Sequence, residues 1–243
     1  MASLGTLAAA AACGYAVMAW VAVRLWRNSG ARPARGRGAA SPPRPAPVSV
    51  LKPLCGAEPG LDDSLRSLCR QDYAGSVQIV FGVQHPADPA LAVLAGLKRD
   101  YPQLDLTVVV DPTRHGASAK VSNLINMMRA ARHDWLVLAD SDVTVPPGYL
   151  AAVTAPLADP AVGIVTCPYR GVPRPGLWSS LGALFINDWF IPSVRVAALL
   201  GSRAFAFGAT IALRRDTLDA IGGFGAVADQ LADDYRLGEL TRR

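Results

Sequence analysis

The chain has 243 residues, of which 51% are hydrophobic, and its 24 basic and 19 acidic side chains leave a net charge of +5. A chain of this length can form one sizeable α/β domain with a well-filled core. Six arginines precede the first acid, Glu58, and without them 18 basic residues stand against 19 acidic, so residues 48–243 carry about −1. This distribution argues against nucleic acid as a partner of the globular part. The six are Arg24, Arg27, Arg32, Arg35, Arg37 and Arg44.

The amino-terminal segment predicts a membrane span. Residues 2–23 contain no charged side chain, and a helix needs about 20 apolar residues to cross the hydrocarbon layer. A buried helix or a secretory signal is the alternative, but a signal begins with basic residues, whereas here the arginines follow the apolar run. We therefore expect a transmembrane helix at 1–24, with the following domain on the cytoplasmic side because arginines flank the span there.

A Gly/Pro/Arg/Ala-rich segment follows at 25–47 and predicts an extended linker, because it has no apolar face to bury. From Val48 onward, short apolar runs alternate with helical stretches. This pattern predicts a mostly parallel sheet covered by helices on both faces, with ligands beyond the carboxyl ends of the strands. The predicted strands cover residues 48–53, 77–84, 106–111, 134–140 and 162–169, and the predicted helices cover 61–71, 89–101, 118–132 and 148–157.

Two carboxylates, Asp140 and Asp142, follow the apolar run at 135–139. Side chains two residues apart in an extended chain leave on the same face, and hard divalent cations prefer such oxygen ligands. The pair is either surface decoration or a metal site, and its position at the exit of a buried strand favours the metal site. No glycine-rich phosphate loop of the G-x-G-x-x-G or G-x-x-x-x-G-K-[ST] type is present, which argues against dinucleotide oxidoreductases and P-loop proteins.

Two later segments carry further signals. Asp233 and Asp234 open a predicted helix after a glycine-rich stretch, and one helix start requires only one acidic cap. Residues 177–200 are aromatic and apolar with few charges, which indicates either an interfacial helix beside a bilayer or an ordinary core helix.

The order of the segments VQHPADP, AKVSNL, LADSDV, FGATIALRRDTLDAIGGF and LADDYRLG resembles the membrane-bound glycosyltransferases that use nucleotide-sugars on a GT-A fold. It is most similar to the ceramide glucosyltransferase group, which includes bacterial relatives that glycosylate hopanoid lipids. The opening VSVLKPLCGAEPGLDDSL and the early apolar span fit the same group. The resemblance covers residues 1–243 and implies a GT-A glycosyltransferase domain at 48–243.

The resemblance implies roles for the strand-end acids. Asp88 matches the first aspartate of the group and is expected to bind the nucleotide. Asp140 matches the second, expected near the ribose, the diphosphate and the metal. Asp142 completes a D-x-D that some relatives lack, so the two acids are expected to hold Mg²⁺ or Mn²⁺.

Three further residues match the group. Asp234 corresponds to the third aspartate, expected to be the general base, and Asp233 is then a cap or a neighbouring acid. Lys120 and Asn123 match a K-x-x-N-L segment expected to bind the substrate, with Lys120 at the nucleotide or its phosphates. The expected reaction moves a sugar from a UDP-sugar to a hydroxyl of a membrane lipid, with inversion because it uses one base and no covalent intermediate. The Ala/Arg-rich composition favours a bacterial inner membrane and a hopanoid acceptor over ceramide.

Two departures from the group leave alternatives open. His85 stands where relatives often carry an acid, and the chain stops at Arg243, before the Q-x-x-R-W-type motif and further membrane helices of the group. The domain is therefore expected to be incomplete at its carboxyl end. A transferase related to polysaccharide synthases, or a non-catalytic, membrane-tethered binder of nucleotide-sugars, is the alternative function.

Overall fold

A computed structural model describes residues 4–28, 45–202 and 206–242 of the chain. The chain divides into two compact units. The smaller comprises Met1–Arg35 and Pro168–Arg203, and the larger comprises Gly36–Cys167 and Ala204–Arg243. Most of the predicted linker, at 29–44, lies outside the described residues.

The elements follow one another in the order that the apolar runs predict. The strands are β1 (Val48–Pro53), β2 (Val77–Val83), β3 (Asp105–Val110), β4 (Trp135–Ala139), β5 (Ile164–Thr166) and β6 (Thr210–Arg214). The helices are α1 (Leu4–Asn28), α2 (Leu61–Cys69), α3 (Ala90–Asp100), α4 (Ala119–Met128), α5 (Tyr149–Thr154), α6 (Leu177–Leu184), α7 (Ile191–Leu199), α8 (Arg215–Ala220) and α9 (Asp233–Arg242).

The larger unit is built on a six-stranded sheet in the order β3-β2-β1-β4-β6-β5. The strands β3, β2, β1 and β4 are parallel, while β6 runs antiparallel to β4 and β5 runs antiparallel to β6. The predicted α/β fold with a mostly parallel sheet is confirmed. The strand β6, which follows Gly208, was not predicted.

Helices cover both faces of this sheet because successive strand residues point to opposite sides. On one face Val50 packs with leucines of α2 and α3, including the fully buried Leu65 and Leu97. On the other face Leu51 packs with apolar residues of α4, α8 and α9. Burial of one such leucine stabilises the fold by about 1.5–3 kcal/mol.

The strand order creates a crevice between β1 and β4. The chain proceeds from β1 outward to β2 and β3 and then returns to place β4 on the other side of β1, and ligands bind at such a switch point. The carboxyl ends of the parallel strands share one edge of the sheet. The antiparallel β6 begins at that edge, since Thr210 pairs with Ala139.

The smaller unit contains α1 and a second helical segment. In α1, the window Gly5–Ala22 has a mean hydropathy of 1.5, and 6% of it is buried. Among the described residues α1 is the one helix long and apolar enough to cross a membrane. The second segment runs through α6, a π-helical turn at Phe185–Phe190 and α7, and α7 packs against α1.

Candidate functional site

An ion pair lies at the carboxyl end of β4. Lys120, in the first turn of α4, places its Nζ 2.5 Å from Oδ1 of Asp140. Ser118 caps this helix, because its Oγ accepts a hydrogen bond from the backbone N–H of Val121. The two charged side chains are 36% and 34% exposed, so the pair faces an accessible space. Burial alone would lower the pKa of Lys120, but the charge and hydrogen bond of Asp140, together with the charges of Asp233 and Asp234, raise it. Lys120 is therefore positively charged at neutral pH.

Two further acids approach this ion pair from the start of α9. Burial raises the pKa of Asp233, the charge of Lys120 opposes that rise, and the negative charges of Asp234 and Asp140 add to it. The backbone N–H of Asp140 donates to the oxygen of Ala209 at 3.3 Å, and the carboxylate of Asp234 lies against the adjacent Gly208, so the start of α9 lies near the ion pair. The structure thus brings the predicted Asp140, Lys120 and Asp234 together, with Asp233 beside them.

The carboxylate of Asp234 lies directly over Gly208. A Cβ added to Gly208 would lie 2.9 Å from Asp234 Oδ2, which is closer than ordinary carbon–oxygen contact. The other oxygen, Oδ1, accepts a hydrogen bond of 2.8 Å from the backbone N–H of Tyr235. A residue without a side chain before β6 therefore makes room for the acid.

Lys52 lies directly beside the candidate site and was not predicted as one of its residues. It is 1% exposed at the end of β1, and its Nζ donates to the backbone oxygen of Asp140 at 2.7 Å and of Val143 at 3.3 Å. Burial lowers the pKa of Lys52 to about 8, although the charges of Asp142, Asp140 and Glu58 oppose that shift. The sequence signal for this residue is a lysine inside the apolar strand VSVLKP. Lysine is almost never fully buried without partners, so its position indicates nearby polar groups.

Hydrogen bonds fix the turn that carries the D-x-D pair. Ser64 of α2 is buried, and its Oγ lies 2.7 Å from the backbone oxygen of Ser141 and 2.8 Å from that of Val143. Ser141 Oγ donates to Oε1 of Glu58 at 3.0 Å. These hydrogen bonds fix the backbone of the turn, while the side chain of Asp142 is exposed.

The carboxylate oxygens of this site suit a metal cation that is bound by the protein and by a ligand together. Within the described ranges, no group of three or more His, Cys, Asp or Glu side chains is arranged to hold a metal ion. Mg²⁺ in proteins is usually held by one or two carboxylates and by substrate phosphates. Asp140 and Asp142 can supply two carboxylates, so they fit that kind of binding and not an all-protein cage.

Asp88 lies at the same edge of the sheet, past the end of β2. Both of its carboxylate oxygens are 3.1 Å from the backbone N–H of Gly56, in the loop after β1. Its Oδ1 also accepts a hydrogen bond of 2.9 Å from Ala90, the first residue of α3. Asp88 therefore ties two loops of this edge together, and its contact with a nucleotide stays a prediction.

Asn123 lies inside the core and not at the surface of the site. Its side chain is 3% exposed, and Nδ2 donates to the backbone oxygen of Gly82 at 2.8 Å. Its Oδ1 has no hydrogen-bond partner among the residues that the structure describes. The amide thus joins α4 to β2, one helical turn from Lys120, and its expected contact with the substrate stays a prediction.

This geometry defines what the site can do. The ammonium of Lys120 can bind an anionic group of a ligand. Asp140 and Asp142 can hold a divalent cation that also binds this anionic group. Asp233 and Asp234 can accept a proton, since carboxylates near a bound hydroxyl are suitable general bases.

Several curated proteins are similar to this chain. Ceramide glucosyltransferase 1 of Caenorhabditis elegans is 27% identical over 199 residues, which cover 81% of this chain and 42% of that protein. Ceramide glucosyltransferase of Komagataella phaffii is 32% identical over 114 residues, which cover 45% of this chain and 22% of that protein. The chain thus spans less than half the length of these relatives.

Solved structures share the fold. A mannosyltransferase from Pyrobaculum calidifontis, in complex with GDP-Man and Mn²⁺, has a TM-score of 0.58 at 24% identity, covering 94% of this chain and 61% of that one. TarS of S. aureus has a TM-score of 0.51 at 18% identity, covering 80% of this chain and 33% of that one. At these identities the likeness shows a GT-A glycosyltransferase fold and nothing finer.

The family assignment comes from the sequence as a whole. The family description "Glycosyl transferase family 21" matches residues 5–243, which is nearly the entire chain. Together with the ceramide glucosyltransferase relatives, this match shows that the chain belongs to glycosyl transferase family 21.

Proposed function

We propose that this chain carries the donor-binding and catalytic domain of an enzyme that transfers a sugar from a UDP-sugar to a hydroxyl of a membrane lipid. The observation that carries the proposal is the cluster at the switch point of the sheet. There the ion pair of Lys120 with Asp140 lies beside the acids at the start of α9. Family membership supplies the reaction class, because family 21 contains glycosyltransferases.

The proposed donor site combines a fixed turn with the positive charge of Lys120, which is paired with Asp140. Lys52 and Ser64 hold the backbone of residues 140–143, so the carboxylates of Asp140 and Asp142 are presented by a rigid segment. The protonated Lys120 can bind the diphosphate of the donor, whose negative charge would compete with Asp140 for the ammonium. The mannosyltransferase with the same fold holds GDP-Man and Mn²⁺, which supports a nucleotide-sugar and a divalent ion here.

Asp140 and Asp142 are the residues that we expect to hold Mg²⁺ or Mn²⁺. A bound divalent ion supplies charge neutralisation for the departing diphosphate. The exposed position of Asp142 leaves its carboxylate free to bind such an ion. Lys120, which is paired with Asp140, would supply a second positive charge to the diphosphate.

Asp234 is proposed as the general base that removes the proton of the acceptor hydroxyl. Its Oδ1 is held by the backbone N–H of Tyr235, and Oδ2 is the oxygen over Gly208. One base acting on the acceptor without a covalent intermediate gives inversion at the anomeric carbon. Asp233 lies beside this base, and the negative charge of Asp234 helps to raise the pKa of Asp233.

The proposed acceptor is a lipid of the ceramide or hopanoid type. The ceramide glucosyltransferase relatives support a lipid acceptor, and α1 supports a membrane location because it is long, apolar and almost unburied. We propose that α1 anchors the chain and that the larger unit lies on the cytoplasmic side of a bacterial inner membrane. The arginines that follow α1 in the sequence support that orientation.

A direct test uses Asp234→Asn in the full chain, reconstituted in lipid nanodiscs with UDP-glucose, Mn²⁺ and ceramide or hopanoid acceptors. Positioned base catalysis contributes about 10²–10⁴-fold, so we expect turnover to fall by that factor while donor binding, measured by calorimetry, is kept. Asp219→Asn is the matched control, since Asp219 is exposed on α8.

A second variant, Asp142→Asn, separates the metal site from the base. We expect it to weaken Mn²⁺-dependent donor binding, which Asp234→Asn leaves unchanged. The proposal is overturned if the chain binds no UDP-sugar. Donor binding without any product supports the non-catalytic binder instead, and transfer to sugar oligomers in preference to lipid supports a relative of the polysaccharide synthases.

A further inference from the structure

The smaller unit carries a face of exposed apolar side chains on its second helical segment. We call this face the aromatic stripe. Its members are spaced three and four residues apart, which places them on one side of a helix. They are Leu177, Trp178, Leu181, Leu184, Phe185 and Trp189, which are 69%, 83%, 45%, 56%, 55% and 57% exposed. Contiguous exposed apolar surface of this kind marks an interaction site.

The opposite side of the same helix packs against the chain that precedes α6. The helix is therefore held in place, and only the side that carries the stripe is exposed. Asn187 exchanges two hydrogen bonds with the backbone of Gly171, at 2.9 Å and 2.8 Å. A Cβ on Gly171 would lie 2.7 Å from the Cα of Ala183, and the ring of Tyr169 lies 5.8 Å from that of Phe190. The chain before α6 therefore fixes the rotation of the helix and turns the stripe outward.

A π-helical turn at Phe185–Phe190 shapes the stripe. Pro192, at the start of α7, has no N–H and its ring clashes with the carbonyl four residues earlier, which widens a helix locally. Within this turn the rings of Phe185 and Trp189 stack, with centroids 5.0 Å apart and planes at 27°. The turn thus keeps two aromatic rings together on the exposed side.

The stripe shares its unit with the candidate membrane helix. Tyr15 of α1 and Ser193 of α7 are hydrogen-bonded through their hydroxyls at 2.5 Å. Ser193 Oγ also donates to the backbone oxygen of Trp189 at 2.7 Å. The end of the stripe is therefore linked directly to a helix that needs an apolar environment of its own.

We propose that the segment formed by α6 and the π-helical turn, Leu177–Phe190, lies in the bilayer interface with the aromatic stripe against the lipid acyl chains, while α7 continues along α1. Tryptophans concentrate at the level of the lipid headgroups, and amphipathic segments bury their apolar face there. Asp188, exposed within the stripe, is costly in the hydrocarbon centre, so the segment lies at the boundary and does not cross. This inference rests on the proposed membrane location of the chain, and it adds a second lipid-contacting element of defined residues.

The test is quenching of tryptophan fluorescence by brominated lipid, with the full chain in phosphatidylcholine vesicles. The chain has five tryptophans, and Trp→Phe substitutions produce chains that retain only Trp178, only Trp189 or only Trp135. Trp135 begins β4 in the larger unit and is the matched control. We expect bromines near the headgroup end of the acyl chain to quench Trp178 and Trp189 at least about twofold more than Trp135.

The depth of the bromines adds a second comparison. Bromines near the bilayer centre are expected to quench Trp178 less than those near the headgroups, and the reverse order would overturn the interfacial placement. Quenching of Trp178 and Trp189 no greater than that of Trp135 would overturn the inference altogether, as would fluorescence energy transfer showing that the stripe packs against a second copy.

Two features keep the test decisive. If chains with four substitutions do not fold, the double variant W178F/W189F is compared with the wild type, and the lost quenching is obtained by subtraction. The readout uses neither donor nor acceptor, so failure of the proposed sugar transfer leaves it unaffected.

Discussion

The contact between Gly208 and Asp234 provides a way to move the proposed base without removing it. In Gly208→Ala, the new Cβ would lie 2.9 Å from Asp234 Oδ2, whereas carbon and oxygen in contact are about 3.3–3.6 Å apart. The carboxylate must therefore retreat by about 0.4–0.7 Å. Gly208 is not among the glycines with positive φ, so alanine is compatible with its backbone.

The displacement should affect turnover far more than stability. A misplacement of 1 Å can cost about 10²-fold in rate, so a shift of this size is expected to reduce kcat about 5- to 25-fold. The carboxylate is the end of a partly exposed side chain and can yield, so we expect the free energy of unfolding to change by less than about 1 kcal/mol. The KM for the donor should stay the same, because the base acts on the acceptor.

The assay is steady-state sugar transfer with varied donor, together with thermal unfolding. Gly225→Ala is the matched control, since an added Cβ there meets no described atom within 4 Å and Gly225 lies in the 3-10 turn Phe224–Val227. Equal kcat values for the two variants would refute the assignment of Asp234 as the base. A large loss of stability in Gly208→Ala alone would refute the reasoning about a yielding carboxylate.

Two further predictions concern Lys52, which is buried, and Cys69, which is half-buried. Lys52→Met removes the buried ammonium that donates hydrogen bonds to the backbone oxygens of Asp140 and Val143. We therefore expect the free energy of unfolding, measured by urea titration, to fall by about 1–3 kcal/mol and Mn²⁺-dependent binding of the sugar donor to weaken. Unchanged values would show that the turn does not need this lysine. Burial raises the pKa of Cys69 to about 11, so at pH 8 only about one Cys69 thiol in a thousand is ionised. After treatment with maleimide, mass spectrometry should therefore find the exposed Cys55 modified and Cys69 intact. Equal modification of the two cysteines would contradict the burial of Cys69.

Local patterns in the sequence predicted most of the elements. The run VSVLKP forms β1 with the predicted bounds, and the bounds of the other predicted parallel strands differ from the observed ones by at most one residue. Asp140 and Asp142 were recognised because a buried strand leads directly into them. These signals succeed because strand formation and the direction of side chains depend on neighbouring residues. The switch point then follows from the order of the strands.

The partners of the site residues could not be read from the sequence. The strand β6 was missed because it is stabilised by pairing with β4, which lies about 70 residues earlier in the chain. The contact of Lys52 with the backbone of Asp140 depends on the pairing of β1 with β4. The packing of α4 on the sheet directs the side-chain amide of Asn123 to Gly82.

The sequence by itself determined that this chain is an α/β glycosyltransferase-like protein with an apolar amino-terminal helix and acids at the ends of its strands. The tertiary structure decided which charges meet, where Gly208 makes room for Asp234, and which side of the segment 177–199 is exposed. The physical reason is that apolar periodicity is a local property of the chain. Contacts between distant residues depend instead on how helices and strands pack, and that packing is a property of the whole fold.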